Sequence, residues 1–64
     1  MTPQAKRAIE YVRNTGGTAT VAIFDDDHEP IGPLIRKEIM PAFVMEDANG
    51  KLILTDAGRN ELSC

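Results

Sequence analysis

The sequence predicts a mixed α+β fold: helices first, then a β-hairpin, then a short closing helix. Three stretches carry that expectation. Residues 2–12 place Ala5, Ala8, Ile9 and Val12 on one apolar stripe behind a Thr-Pro start. Asn49-Gly50 stands between two apolar runs, a strong hairpin signal. The stretch "LILTDAGRNEL", residues 52–62, reads as a strand running straight into a capped helix.

The chain has 64 residues, enough for a single domain over 1–64. A chain this short buries only about 60% of the surface its unfolded form exposes, so its core is thin. Apolar residues make up 42% and charged residues 27%, a globular balance rather than a disordered one. The single cysteine, Cys64, rules out a disulfide within the chain and is read as a frayed terminal residue, with a reactive thiol or an intermolecular disulfide as the sharper alternative. The opening "MTPQAKRAIEYV" has no signal-peptide core and no stretch approaches a membrane span, so a cytoplasmic protein without membrane attachment is expected.

In the first helix Thr2 caps through its hydroxyl. Pro3 fits the first helical position, where its missing N–H costs nothing. Gly16-Gly17 ends it, because glycine takes the left-handed cap conformation without a Cβ penalty. The stretch "TATVAIFDDDHEP" is ambiguous. Propensity favours a strand over residues 18–23, whereas Thr20 before a short apolar group suits a capped helix. The segment "PIGPLIRKEIMP" is bracketed by prolines, and a helix over Pro33–Met40 fits it. Ile31, Ile35 and Ile39 repeat every four residues with Leu34 beside them; Pro33, Arg36, Lys37 and Met40 take the opposite face. In the hairpin, the preferred register sets Glu46 opposite Lys51, Met45 opposite Leu52 and Phe43 opposite Leu54. A strict two-residue turn would instead set Asp47 opposite Leu52. Thr55-Asp56 caps the last helix through Leu62. Gly58 weakens that helix, which points to close backbone packing against a neighbour.

With the elements in this order, the chain resembles the winged-helix branch of the helix-turn-helix superfamily. The residues that carry the resemblance are "TPQAKRAIEYV", "IRKEIMPAFVMED" and "NGKLILTDAGRNEL". Many winged-helix proteins end a wing strand in LT-x-x-G-x-x-x-L, here Leu54, Thr55, Gly58 and Leu62. The resemblance implies a three-helix core, a β-hairpin wing and a short C-terminal helix. It resolves the ambiguous segment as a helix near Thr20 to Asp26 with Val21 and Phe24 inward, with a short strand at residues 18–20 before it. It puts Pro33–Met40 in the recognition-helix position and Asp47–Gly50 at the wing tip. What it implies for function is a non-enzymatic DNA-binding module of transcription-regulator type, in which Arg36, Lys37, Lys51 and Arg13 would meet double-stranded DNA.

Three departures from the family pattern support a competing reading, a protein-interaction or dimerisation module that does not bind DNA. The recognition position is clipped by two prolines. No glycine follows it, and the wing offers Glu46 and Asp47 against one Lys51. Ten acidic residues against seven basic ones give a net charge of −3, the wrong sign for a phosphate-binding surface. Asp25, Asp26, Asp27 and Glu29 would stand in the turn nearest the DNA backbone. For the competing reading, Ile31, Pro33, Met40, Phe43 and Met45 offer an apolar strip. Removing Arg36 and Lys37 is expected to leave folding intact, as for surface residues.

No catalytic, metal or cofactor site is expected. The run "DDDHE" lacks the spacing and central glycine of a calcium loop and reads as a solvated turn. One histidine and one terminal cysteine cannot complete a zinc site. "NTGGT" lacks the lysine of a phosphate loop, and the only serine is Ser63, so no nucleophile–base pair is visible.

Overall fold

The computed structural model describes residues 2–63; Cys64, and with it the reading of its thiol, lies outside them. Four helices and a two-stranded antiparallel hairpin follow the expected order: α1 (Pro3–Thr15), α2 (Val21–Asp27), α3 (Gly32–Ile39), β1 (Val44–Glu46), β2 (Leu52–Leu54) and α4 (Asp56–Ser63). The fold is α+β.

Helix α1 forms as its sequence dictates. The Thr2 hydroxyl accepts from the Ala5 N–H at 3.1 Å, Pro3 opens the first turn, and Gly16 closes the last with φ 61°. Ala5, Ala8, Ile9 and Val12 are all buried. The ambiguous segment is helical. Thr20 caps α2 by accepting from the Ile23 N–H, and Phe24 is buried while Val21 is half-buried. Only one residue of the expected strand before it remains, a bridge between Thr20 and Lys51, reinforced by the Leu52 N–H donating to the Ala19 carbonyl. Helix α3 starts and stops one residue earlier than expected. Met40 is extended (φ −108°, ψ 140°) because Pro41 crowds helical geometry in the residue before it.

The hairpin register differs from both sequence-based alternatives. Val44 faces Leu54, Met45 faces Ile53 and Glu46 faces Leu52. Asp47 therefore lies opposite Lys51 across a three-residue loop. The Asp47 side chain sets this loop: Oδ1 accepts from the Asn49 and Lys51 N–H groups, at 2.8 and 2.9 Å. Gly50 then supplies the left-handed residue (φ 76°) that such a loop needs. The shift puts Val44, not Phe43, opposite Leu54, and Val44 is fully buried.

The core joins the α1 stripe to Phe24, Ile35, Ile39, Val44 and Leu52. Helix α4 is tied on by Thr55, whose hydroxyl donates to the Ala42 carbonyl and accepts from the Gly58 N–H. Gly58 is buried, and a Cβ there would run into the Phe43 carbonyl, which accounts for glycine inside this helix as expected. No described helix is long and apolar enough to cross a membrane.

Candidate functional site

Helix α3 is held at an outward-facing position by α2. Gly32 allows the approach: a Cβ there would lie 2.7 Å from the Asp25 Cα and carbonyl oxygen. Burial along α3 then falls on Gly32, Ile35 and Ile39. Helix α1 packs against this arc and α2 covers its Arg36 flank, which leaves the far face of α3 to solvent. Leu34, expected beside the isoleucines, is instead 64% exposed, the most exposed large apolar side chain described. Pro33, Lys37 and Glu38 share the exposed surface with it.

Arg36 is not the free surface cation that the sequence suggests. Its Nε donates to Asp25 Oδ1 at 2.9 Å and its Nη2 to Asp25 Oδ2 at 3.0 Å, a two-pronged pair. Both side chains are about three-quarters buried, with 27% and 25% exposed. The hydrogen bonds to Asp25 hold the guanidinium above its usual range; partial burial opposes this, and the negative charges of Asp25 and Glu46 add to it. Arg36 therefore lies in the field of an α2 carboxylate and a hairpin carboxylate. The premise that Arg36 is an ordinary surface residue is corrected accordingly: it is paired and mostly buried.

The acidic run is also more structured than a solvated turn. Asp25, Asp26 and Asp27 form the last turn of α2, where the helix dipole disfavours negative charge. Two of the three have partners that offset this: Asp25 has Arg36, and Asp27 accepts from the Tyr11 hydroxyl at 2.5 Å. His28 caps the helix. Its ring stacks on Phe24 at a centroid distance of 4.1 Å and its Nδ1 donates to the Phe24 carbonyl at 2.7 Å. Among the described residues no three His, Cys, Asp or Glu side chains converge on a point that would hold a metal ion.

The four cations expected at DNA are dispersed. Arg36 and Lys37 are neighbours on α3, and Lys37 is exposed without an ion pair among the described residues. Lys51 lies at the base of the hairpin loop, half-buried, its backbone bound to Asp47 and bridged to Thr20. Arg13, exposed at the end of α1, lines a cleft formed with β2 and α4. The expected apolar strip also breaks up: Ile31, Met40 and Phe43 pack on the core, while Pro33 and Met45 are exposed. Leu34, which sequence reasoning turned inward, is the apolar residue it missed. Asp25 was missed as a partner for Arg36.

Comparison with known protein families, with curated proteins and with solved structures returned no match.

Proposed function

We infer that this is a winged-helix domain acting as a non-enzymatic protein-interaction module, with the outward face of α3 as its docking surface. The observation that carries this reading is the state of that face. Its arginine is neutralised by Asp25, and what remains toward solvent is Leu34 and Pro33 beside one unpaired lysine, Lys37, and one carboxylate, Glu38. A phosphate-binding surface gathers several unpaired cations; an exposed leucine rimmed by charge is the chemistry of a protein contact. The test is a photo-crosslinking residue in place of Leu34, compared with one in place of Asp26 on α2, in the cells that make the protein. A defined protein adduct from position 34 only, lost on Lys37→Glu, is expected. Equal labelling from both positions overturns the reading.

Lys37 favours a second reading, the DNA-binding one, because it is unpaired and central on the exposed side of α3. Titration with mixed-sequence duplex DNA at low salt separates the two. Shifts confined to α3 and the hairpin, abolished by Lys37→Ala and reduced by salt, would install the DNA reading in place of the first.

A further inference from the structure

We propose that the cleft between the end of α1, the end of β2 and α4 binds a small organic carboxylate with an apolar body. The cleft has a volume of about 400 Å³ and is lined by Arg13, Leu54, Arg59, Leu62 and Ser63. None of these belongs to α3, so the proposal is independent of the reading above. The volume falls within the range of small-molecule sites, roughly 300–1,000 Å³.

The lining has two parts. Leu54 and Leu62 are half-buried apolar side chains that pack on the core and offer it an apolar wall. Arg13 supplies positive charge in a chain whose net charge is −3, and Arg59, its charge offset by Asp56, adds N–H donors. Arg59, which is exposed, is tethered at two points: Nη1 donates to the Leu54 carbonyl at 3.2 Å, and Nη2 pairs with Asp56 one turn earlier. A guanidinium has five N–H donors, so these bonds orient the group and leave donors over. Arg13 is the less committed partner. Its one side-chain hydrogen bond is a long 3.4 Å contact to the neighbouring Asn14, and it makes no ion pair among the described residues. Its place in the last turn of α1 offsets the negative end of that helix, which would otherwise repel an anion. The unpaired Arg13 fork, with the donors that Arg59 has left, beside an apolar wall suits a carboxylate head with a hydrocarbon tail. The source is a free acid or the carboxyl terminus of a peptide ending in leucine.

The experiment is an amide chemical-shift titration of the whole chain at neutral pH and low salt, with hexanoate, hexan-1-ol and hexylammonium as probes. Hexanoate is expected to give saturable shifts at Arg13, Leu54 and Leu62, hexan-1-ol weaker ones, and hexylammonium none. Arg13→Gln, a change at an exposed position, is expected to weaken hexanoate about tenfold. Equal responses to hexanoate and hexan-1-ol, shifts that fail to saturate, or unchanged affinity in Arg13→Gln would each overturn the proposal. If that variant unfolds, the three-probe comparison on the unaltered chain decides alone. A leucine-ended tetrapeptide with free or amidated terminus then assigns the source: tighter binding than hexanoate by the free form points to a chain terminus, weaker binding to a free acid.

Discussion

Helices α1 and α3 both carry a repeating apolar stripe, yet they are held in different ways. Helix α1 has thirteen residues, a threonine cap at one end and a left-handed glycine at the other, and its whole stripe is buried. Helix α3 has eight residues and no side-chain cap bond, and it ends where Pro41 forces Met40 out of helical geometry. A helix that short does not persist by itself in water. Its position is set by neighbours: Gly32 seated against the Asp25 backbone, Arg36 clamped by the Asp25 carboxylate, Ile35 and Ile39 sunk in the core. A helix capped at both ends and buried along its whole stripe acts as scaffold, and a helix positioned by neighbours is free to present its remaining face. That difference is why Leu34 and Lys37 point to solvent on α3 while α1 offers no comparable apolar residue.

The largest expected effects are in the core both helices share. Ile9→Ala and Ile39→Ala should each cost about 2–5 kcal/mol, enough to unfold a chain of this size. Ile9 and Ile39 are 0% and 1% exposed, so thermal melts should show comparable losses. A near-normal melt for Ile39→Ala alone would mean that α3 is peripheral to the core. Next comes a pair of glycine substitutions that separates the two modes of support. Gly32→Ala puts a methyl into the Asp25 backbone with no flexible side chain to yield, and should cost about 1–3 kcal/mol. Gly16→Ala meets open space and should cost only the left-handed strain, about 1 kcal/mol. Equal costs in urea unfolding would erase the distinction between the helices.

The sequence disclosed the self-supporting parts well and the externally supported parts poorly. Helix α1, its caps and its stripe follow from local rules, and so do the Thr20 and Thr55 caps and the tight seat of Gly58. The hairpin itself was legible from Asn49-Gly50. Its register was not, because the choice rested on cross-strand charge pairing and on gathering the apolar residues on one face, whereas the Asp47 side chain bonding back to Asn49 and Lys51 sets the loop length. In α3 the four-residue repeat located Ile35 and Ile39 but misplaced Leu34, since which face of a helix is covered depends on where α1 and α2 land. The Arg36–Asp25 pair spans eleven positions between separate helices, beyond the reach of any local pattern.

That pair yields a smaller effect, in a double-mutant cycle on Arg36→Ala and Asp25→Ala. A coupling energy of about 1 kcal/mol is expected, toward the upper end for pairs that keep some solvent contact. Lys37→Ala, measured alongside, should stay within about 0.5 kcal/mol. Coupling near zero would return Arg36 to the pool of free surface cations and strengthen the DNA reading.

Helix α2 is tied to α1 by a different polar contact, Tyr11 to Asp27, and this one is sensitive to pH. The hydrogen bond to Asp27, then partial burial, then the Asp27 charge push the Tyr11 hydroxyl from 10.0 up to about 12. A group whose pKa is raised in the folded state contributes stability fully below its unfolded pKa and loses it as pH rises through the folded one. The contribution of Tyr11 should therefore be constant up to about pH 10 and disappear toward about pH 12. Tyr11→Phe removes the hydroxyl and keeps the ring, which lies edge-on to Phe24 and His28. The gap in stability between the two proteins should thus close across that window, while the Arg36–Asp25 tether, whose arginine stays charged throughout, holds α2 to α3. The absence of any gap below pH 10 would show that the ring's packing, and not the hydrogen bond, joins α1 to α2.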